Sequence, residues 1–577
     1  MNIQALLVAK FTEAVNNLGL ENAAIPVSRS TRPEFGDYQF NGAMALSKKL
    51  KKAPRDIAQQ IVDSVDLLDI AAKLEIAGPG FINIHIAETF LHKWAAKALN
   101  DQALTIQKQS AETVVVDYSS PNLAKEMHVG HLRSTIIGDA VANVLDLLGH
   151  KVIRQNHMGD WGTQFGMLLA HLSDELAHDV ATETALSDLE DFYRAAKKRF
   201  DNEDGFADRA REYVVKLQGG DQDCLALWQA FIDTSITHSE ELYTRLNVGL
   251  KREHVMGESA YNNDLASVVD DLQQKQIITQ DQGAQVAFLP EMADKEGNPA
   301  VYIVQKSGGG YLYATTDLAA IRYRKQTLKA SRTLIFTDAR QALHFKQTEL
   351  VARKAQYLDD QDEYQHCPFG MMLGKDGKPF KTRSGDTVKL VDLLDEAVER
   401  ASTLLASRKG IADDTDVAEI AKVVGIGAVK YADLSKNRTT DYVFDWDTML
   451  SFEGNTAPYL QYAFTRIRSI FRKAKVDMAK QDSAIIVSNQ SERELMVKLA
   501  QFEEVLINVA KEASPHLLCT YLYELASSLM RFYEASPILK DGISELEQAS
   551  RLSICALTAR TLQSGLDLLG INTLETM

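Results

Sequence analysis

The sequence predicts a multidomain α/β protein whose central part is a doubly wound parallel sheet. The chain has 577 residues, which is too many for one hydrophobic core and corresponds to about three or four domains. From residue 108 to 390, short apolar strands alternate with amphipathic helices, a pattern typical of parallel sheets covered by helices. From residue 391 onward the pattern is almost wholly helical. The sheet therefore occupies the middle of the chain.

The ends of the chain have different patterns from the middle. At the N-terminus, a helix from Ile3 to Leu18 and two strands around the turn Gly78-Pro79-Gly80 predict a small α+β module. Residues 171–250 are predicted to form a helical insertion in the central domain. The resulting division of the chain is 1–107, 108–390, 391–450 and 451–577.

The composition is typical of a globular protein. Hydrophobic residues make up 45% and charged residues 25% of the chain. No apolar run approaches the ~18 residues of a membrane helix, and the N-terminus lacks the pattern of a signal peptide. Four scattered cysteines argue against a disulfide framework. We expect a cytoplasmic protein that does not contact membranes.

A His-x-Gly-His sequence lies where the first central strand passes into a helix. The apolar run from Thr113 to Tyr118 predicts the strand, and apolar spacing predicts a helix from Leu132 to Gly149. At such a junction, backbone N–H groups and the helix dipole favour phosphate binding. Gly130 allows a ligand to approach the backbone, and His128 and His131 can donate hydrogen bonds to it.

The paired histidines could also serve a purpose unrelated to phosphate. They could be metal ligands, or polar residues that satisfy the start of a helix. A zinc site needs further ligands at characteristic spacing, and the four cysteines form no Cys-x-x-Cys pair. We therefore predict no metal bound by the protein alone.

The stretch from Ser119 to Thr135 resembles the signature of class I aminoacyl-tRNA synthetases, and in its full length that of arginyl-tRNA synthetases. The resemblance continues in the same order along the whole chain, through the segments 156–166, 257–259, 311–317 and 454–463. It implies a Rossmann-like catalytic domain, an N-terminal α+β module that contacts tRNA, and an anticodon-binding helical bundle at the C-terminus. It also implies a monomer.

The resemblance implies a reaction in two steps. Arginine is first joined to AMP at the expense of ATP, with Mg²⁺ accompanying the nucleotide, and is then transferred to the 2′-OH of the 3′-terminal adenosine of tRNA-Arg. Such chemistry depends on positioning and electrostatic stabilisation. The resemblance assigns ATP binding to His128, Gly130 and His131, and catalysis to Lys125, His128 and His131.

A second family motif, a loop with two lysines, is altered here. In the region 374–385, Thr382 stands where the second lysine is expected. The resemblance implies catalytic roles for Lys378 and Lys381, and Lys125 could supply the missing charge. The alternative is a solvated basic hairpin.

The resemblance also implies an arginine pocket. A guanidinium group is planar and always charged, so it is best held by several acceptors. Asp317 and Glu258 offer carboxylates, whereas other positions offer a hydroxyl and amides. For Asp317 the alternative is that it caps a helix from Leu318 to Lys325. The implied pocket residues are Asn122, Glu258, Tyr313, Asp317 and Gln341.

Contacts with tRNA are expected despite a net charge of −16, because the local field matters more than the sum. One basic cluster consists of Arg466, Arg468, Arg472, Lys473 and Lys475, and another of Lys48, Lys49, Lys51, Lys52 and Arg55. Aromatic rings offer stacking faces for unpaired bases. Solvated faces and core aromatics are the alternatives. The residues implied to contact the anticodon are Tyr459, Gln461, Tyr462 and Arg466.

Three other functions stay open at this point. The chain could be a different class I synthetase, a simpler nucleotidyltransferase that uses the same histidine motif, or a non-catalytic RNA-binding relative. A nucleotidyltransferase would have no use for the helical region that follows residue 391.

Overall fold

The computed structural model describes residues 2–30, 32–177, 186, 188–380, 388–407 and 417–577. The α-helices in this part are Ile3–Asn17, Ala43–Leu50, Pro54–Ser64, Glu88–Asn100, Val129–Leu147, Thr163–Ala177, Leu189–Asn202, Phe206–Gln218, Gln222–Arg245, Asn262–Gln274, Tyr313–Gln326, Ala342–Lys354, Leu390–Ala406, Val417–Leu434, Trp446–Met449, Ala457–Ala474, Gln490–Ala500, Phe502–Glu512, His516–Ala535 and Glu545–Leu568. The strands are β1 Val27–Arg29, β2 Tyr38–Phe40, β3 Ala71–Ala77, β4 Phe81–Ile86, β5 Thr113–Asp117, β6 Lys151–Gln155, β7 Thr279–Asp281, β8 Ala284–Leu289, β9 Ala300–Gln305, β10 Arg332–Ile335, β11 Glu363–His366, β12 Met372–Leu373 and β13 Tyr442–Val443.

The central sheet contains four parallel strands in the order β11-β10-β5-β6. The chain passes from β5 to β6 on one side and returns to β10 on the other, so a crevice opens at the carboxyl ends between β5 and β10. Val114, Val115 and Val116 are fully buried, as expected for a strand covered on both faces. The strands predicted near residues 113, 152 and 333 are confirmed, with ends shifted by one or two residues.

The N-terminal module is a four-stranded antiparallel sheet in the order β1-β2-β4-β3, packed by helices. The predicted pair of strands around the Gly-Pro-Gly turn is confirmed as β3 and β4. Gly80 has a φ of +124°, and a Cβ atom there would lie 2.8 Å from the carbonyl oxygen of Pro54. The turn therefore needs glycine both for its conformation and for its contact with the neighbouring helix.

In the described residues between β6 and β7, the predicted helical insertion contains the helices Thr163–Ala177, Leu189–Asn202, Phe206–Gln218 and Gln222–Arg245, and the helix Asn262–Gln274 follows it. The insertion begins earlier than expected, at Thr163. A three-stranded antiparallel sheet in the order β7-β8-β9 follows the insertion. The sequence did not predict this second sheet. The apolar residues of β9, from Ala300 to Val304, form a run as long as those of the predicted strands. The three strands pair with their sequence neighbours in antiparallel fashion, which departs from the alternation of strands and helices that predicted the parallel sheet.

Helices dominate the chain after β12, as predicted, and the short strand β13 pairs with β12. Two arginines attach the C-terminal bundle to the rest of the molecule. Arg332 on β10 donates to the carbonyl of Ala510 at 3.0 Å, and Arg438 donates to that of Ala513, also at 3.0 Å. These carbonyls end the helix Phe502–Glu512, where free acceptors are expected.

All four cysteines, Cys224, Cys367, Cys519 and Cys555, are buried and unpaired with one another. Among the helices of the described ranges, none combines the length and the apolar character that crossing a membrane requires.

Candidate active site

The loop after β5 is held in an unusual conformation. Ser119 and Ser120 have φ values of +71° and +48°, in the left-handed region that residues other than glycine rarely adopt. Hydrogen bonds stabilise the loop: the Ser119 N–H donates to the Ser134 hydroxyl and the Ser120 N–H donates to the Asn156 side chain, each at 2.9 Å. This bend directs the chain toward the crevice.

His128 and His131 cap the helix Val129–Leu147 reciprocally. The Gly130 N–H donates to Nδ1 of His128 at 3.0 Å, and the His128 N–H donates to Nδ1 of His131 at 3.1 Å. The two rings lie with their centres 4.0 Å apart. Because each Nδ1 atom accepts a backbone hydrogen bond, the proton of each neutral ring sits on Nε2. Both Nε2–H groups are therefore available as donors.

Both rings are neutral near pH 7. Burial lowers the pKa of His131 to about 3, and His128 adds to the effect. Burial also lowers the pKa of His128, with Lys125 acting in the same direction and Glu190 opposing it. Two neutral donors at a helix N-terminus, beside the open backbone of Gly130, suit the oxygen atoms of a phosphate chain. This geometry fits the predicted ATP-binding residues.

Lys125 lies in the same loop and is exposed. Its Nζ atom is 4.2 Å from the centre of the Tyr193 ring, on the helical insertion. The nearby Lys389 pairs with Glu126 at 3.1 Å and with Asp188 at 2.7 Å. The insertion thus contacts the phosphate loop directly.

Three carboxyl groups lie together at the ends of β5 and β6. The pKa of Glu258 is raised to about 8 by burial and by the neighbouring Asp160 and Asp317 carboxyl groups. Asp160 accepts the Ser259 N–H at 2.8 Å and the Ser259 hydroxyl at 2.6 Å, and burial raises the pKa of Asp160. Crowded acidic groups of this kind are stabilised when a cation binds among them.

Asp317 links the predicted pocket residues to two histidines. Its side chain contacts His344 Nε2 at 2.6 Å and lies 3.8 Å from His157 Nε2. The Tyr313 ring, 62% exposed, stands edge-on to His344 with centres 4.8 Å apart. Gln341 precedes the helix Ala342–Lys354, which carries His344, and its side chain is exposed.

Asn122 joins this group through the backbone. The Leu123 N–H donates to the Gly159 carbonyl, and the Gly159 N–H donates to that of Pro121, both at 3.0 Å. The same loop meets Glu258, whose N–H donates to the carbonyl of Met158 at 3.1 Å. Backbone hydrogen bonds therefore bring the Asn122 loop beside Glu258, and the Asp317 carboxyl group acts on Glu258. Gln341 is placed only by its position before the helix that carries His344.

Asp317 does not cap a helix, and that alternative is wrong. The helix begins at Tyr313, not Leu318, and ends at Gln326. Asp317 lies inside the helix, with its carboxylate directed toward His344.

Three residues of the site were missed from the sequence: His157, Asp160 and His344. His157 and Asp160 lie within the segment 156–166 that carried the resemblance, and this was the only signal for them. His344 stands in an ordinary helical pattern, so nothing in the sequence distinguishes it.

The altered lysine loop is only partly described. The Gly374 N–H donates to the Lys378 carbonyl at 2.8 Å, and Gly377 turns the chain with a φ of +73°. Lys378 is exposed at this turn. Lys381, Thr382 and Arg383 lie outside the described residues. The first half of the predicted basic hairpin is therefore a tight turn beside β12.

A groove of about 960 Å³ runs along the C-terminal bundle. The Arg466 guanidinium lies 4.4 Å from the centre of the Tyr533 ring and donates to the Tyr462 hydroxyl at 2.9 Å. Tyr459 lies near Tyr523, with ring centres 5.8 Å apart. Cations and rings along one groove are suited to unpaired bases. Residues that line the groove include Tyr462, Arg466, Arg472, Lys473, Tyr533, Lys540 and Met577.

The structure corrects the prediction made for Gln461. Its side chain is fully buried, and its Nε2 atom donates to the carbonyl of Asn572 at 2.9 Å. The prediction that Gln461 contacts tRNA is wrong for this conformation, because the helix turns this side chain toward the protein interior.

The two basic clusters differ in how far their side chains are free of contacts with the rest of the protein. The N-terminal one, Lys48, Lys49, Lys51, Lys52 and Arg55, is exposed throughout. In the C-terminal one, Arg468 pairs with Glu575 at 2.5 Å and Arg472 donates to the Glu575 carbonyl at 2.8 Å. Part of that cluster therefore holds the end of the chain.

Among the described residues, no group of three or more His, Cys, Asp and Glu side chains is arranged to hold a metal ion. The prediction of no bound metal stays a prediction.

A nucleotide fold with paired histidines after its first strand, joined to a helical bundle, defines a class I aminoacyl-tRNA synthetase. Residues 95–446 match the family "tRNA synthetases class I (R), catalytic domain". Residues 460–577 match "DALR anticodon binding domain", and residues 2–86 match "Arginyl tRNA synthetase N terminal domain". The chain belongs to the arginyl-tRNA synthetase family.

Individual relatives agree with this assignment. An "Arginine--tRNA ligase" of Alteromonas mediterranea is 68% identical over 577 residues, and one of Pseudoalteromonas atlantica is 66% identical over 578, each covering 100% of both chains. A solved arginyl-tRNA synthetase from Plasmodium falciparum has a TM-score of 0.86 at 28% identity and covers 100% of this chain and 99% of its own. The Thermus thermophilus structure, with a TM-score of 0.83 at 24% identity over 100% of both chains, shows the same fold.

Proposed function

We propose that the protein is an arginine–tRNA ligase. It uses ATP to form arginyl-adenylate and transfers arginine to the 2′-OH of the terminal adenosine of tRNA-Arg, releasing AMP and diphosphate. The observation that carries this proposal is the arrangement at the carboxyl ends of β5 and β6. Two neutral imidazoles that can donate hydrogen bonds to phosphate stand at the start of the helix after β5, and a crowded set of carboxyl groups raises the pKa of Glu258. Family membership supports the use of ATP, arginine and tRNA.

In the first step the arginine carboxylate attacks the α-phosphate of ATP, and diphosphate leaves. His128 and His131 donate through Nε2 to phosphate oxygens, and the Gly130 backbone allows the close approach. Lys125, with Lys378 and Lys381, supplies positive charge as the phosphates gain negative charge. Mg²⁺ accompanies the nucleotide and is held mainly by its phosphates.

In the arginine pocket, Glu258 and Asp317 receive the guanidinium group, and Tyr313 closes one side with its ring. The side-chain amides of Asn122 and Gln341 hold the α-amino and carboxylate groups of arginine. The support is the crowding that raises the pKa of Glu258, because a bound guanidinium relieves it. Lysine offers fewer directed donors and leaves acceptors unpaired.

The tRNA contacts both ends of the molecule. The C-terminal groove, with Tyr462 and Arg466, binds anticodon bases together with Tyr459, which lies one helical turn before Tyr462 and outside the groove lining. The exposed basic cluster of the N-terminal module binds the outer corner of the tRNA. Rings and cations in the groove support the first contact. We assign the ranges 1–107, 108–390, 391–450 and 451–577 to the tRNA-contacting module, the catalytic domain, the connecting region and the anticodon-binding bundle. The protein acts as a monomer in the cytoplasm, as its family does.

The unpaired 3′ end of the tRNA reaches the pocket along the second sheet. Val301 and Ile303 on β9 are 47% and 45% exposed and border a groove of about 680 Å³ that also contains Tyr313. Lys306 and Arg340 line the same groove. Apolar surface for bases and cations for phosphates fit a single-stranded nucleic acid.

A charging assay with purified tRNA and labelled arginine tests the function. We expect arginylation that depends on ATP, and pyrophosphate exchange with arginine that depends on tRNA. Charging with only cysteine or glutamine would instead identify a different class I synthetase. Tight tRNA binding without arginylation would identify a non-catalytic RNA-binding protein. A reaction rate that does not change when tRNA is added would identify a nucleotidyltransferase.

A further inference from the structure

Lys125 is held by an aromatic ring rather than by a carboxylate. Its Nζ atom lies 4.2 Å from the centre of the Tyr193 ring. The adjacent Glu126 pairs with Lys389 instead, at 3.1 Å. Within the described part of the chain, no ion pair joins Lys125 to an acidic residue. The positive charge of Lys125 is therefore not neutralised by the protein.

The ring is fixed relative to the phosphate loop. Tyr193 lies on the helix Leu189–Asn202, whose cap, Asp188, pairs with Lys389 at 2.7 Å. The backbone beside Lys389 pairs in turn with the loop, since the Val129 N–H donates to the Val388 carbonyl at 3.1 Å. The helix that carries the Tyr193 ring is therefore tied to the phosphate loop through Lys389 and Val388.

A ring face and a carboxylate would affect a catalytic lysine differently. A carboxylate would neutralise the ammonium group and compete with phosphate for it. An aromatic face attracts the same group more weakly and leaves its charge and its three donors available. A lysine held in this way can move to phosphate oxygens when negative charge develops on them.

We propose that Tyr193 is a positioning residue that holds the Lys125 ammonium group beside the phosphate site, ready to move onto the phosphates. The inference rests on the proposed function, because it takes Lys125 to stabilise the phosphates of ATP. It gives the helical insertion a part in the first chemical step.

A double-mutant cycle on the full chain tests this inference. The variants are Tyr193→Ala, Tyr193→Phe, Lys125→Met and Lys125→Met combined with Tyr193→Ala. The readout is arginine-dependent pyrophosphate exchange with tRNA present, resolved into kcat and KM for ATP. We expect Tyr193→Ala to lower kcat about three- to tenfold, because a lysine that is no longer held beside the phosphates must lose rotamer freedom before it can stabilise them. Tyr193→Phe should retain the rate, since it keeps the ring.

The combined variant gives the decisive result. With Lys125 replaced by Met, the further change Tyr193→Ala should have no effect, because the ring acts only through the lysine. An equal loss in that background would show that the ring merely supports the insertion, and the inference would fail. Equal losses for Tyr193→Ala and Tyr193→Phe would also overturn it.

Two controls separate the causes. Tyr213→Ala removes a ring whose centre lies 5.3 Å from the Nζ atom of Lys216, elsewhere on the insertion. This variant should leave the rate of pyrophosphate exchange unchanged. An unchanged rate in Lys125→Met alone would refute the proposed role of Lys125 itself, which is distinct from a failure confined to Tyr193. Thermal unfolding midpoints of all variants report whether the insertion stays folded.

Discussion

The ammonium group of Lys430 lies inside the protein and donates to the carbonyl oxygen of Gly570 at 2.8 Å. It also donates to the carbonyl of Leu246 at 2.6 Å. One side chain therefore joins the connecting helix Val417–Leu434 to the end of the helical insertion and to the end of the last helix. Gly570 has a φ of +65°, and a side chain at this position would overlap with the Lys430 ammonium group.

Lys430→Met is expected to destabilise the protein, because each carbonyl left unpaired in the interior costs about 1–3 kcal/mol. Burial lowers the pKa of Lys430 to about 8, below the ~10.4 of an unfolded chain. Between these values the unfolded state binds more protons, so this group makes stability rise with pH. Unfolding midpoints of both proteins between about pH 7 and pH 10 should differ more as pH rises. A difference that is independent of pH would contradict the lowered pKa.

His128→Ala is expected to slow adenylate formation by about two orders of magnitude or more, because a hydrogen-bond donor to the phosphate oxygens is lost. The substitution also removes the helix cap. His128→Asn is the matched control, since asparagine is a good cap but places no Nε2–H group at the phosphate. We expect Asn to restore the unfolding midpoint and not the rate of pyrophosphate exchange. Recovery of both would assign His128 a purely structural role.

Arginine binding is expected to release a proton near neutral pH. The pKa of Glu258 is about 8 in the free protein, and a bound guanidinium lowers it, so affinity for arginine should rise with pH up to about 8. Calorimetry in two buffers of different ionisation enthalpy measures the protons released. Glu258→Gln should bind arginine more weakly and release none. Equal proton release by this variant would place the titrating group elsewhere.

Asp317→Asn is expected to raise the KM for arginine about 10- to 100-fold, the cost of one charge-assisted hydrogen bond. The amide oxygen still accepts from His344, so the unfolding midpoint should stay close to that of the wild type. Asp359→Asn, which removes a surface partner of Lys325, serves as the control. An unaltered KM for arginine in Asp317→Asn would contradict the pocket assignment.

Arg466→Ala is expected to raise the KM for tRNA roughly tenfold, from the loss of one base contact in the groove. The KM for arginine should not change. Arg211→Ala removes an exposed arginine from the helical insertion and should leave both constants unaltered. If Arg466→Ala behaved like this control, the groove would not be an RNA-binding surface.

Val301→Ser combined with Ile303→Ser is expected to weaken binding of intact tRNA and to leave binding of tRNA without its unpaired 3′ end unchanged. Hydroxyl groups at these positions reduce the apolar face available to bases. Val215→Ser, at a position 70% exposed on the insertion, is the matched control. Equal weakening for both tRNA forms would place the 3′ end elsewhere.

The main elements of the fold could be predicted from the sequence where periodicity is strong. The strand at Val114 is a continuous apolar run, and the helix after His128 has apolar residues at intervals of three and four, because both are buried between the sheet and its covering helices. The helix start was predicted too late, since His128 and His131 themselves cap it. Polar residues at a cap carry no apolar signal.

The site was only partly predictable, because its geometry depends on contacts between distant segments. Nothing in the sequence indicates that His344 lies against Asp317, nor that Lys430 meets Gly570. The buried position of Gln461 was missed for a similar reason. Its partner is a backbone carbonyl more than a hundred residues away, and a backbone group has no side-chain signature.

The burial of all four cysteines has a practical consequence for spectroscopy. Burial raises the pKa of Cys367 and of Cys555 to about 12, so their reactive thiolate forms are scarce at neutral pH. Maleimide dyes should therefore leave the native thiols largely unmodified and react with a single cysteine introduced at the surface. Paired labels on the N-terminal module and on the C-terminal bundle would then report, by energy transfer, how the two move when an RNA substrate arrives.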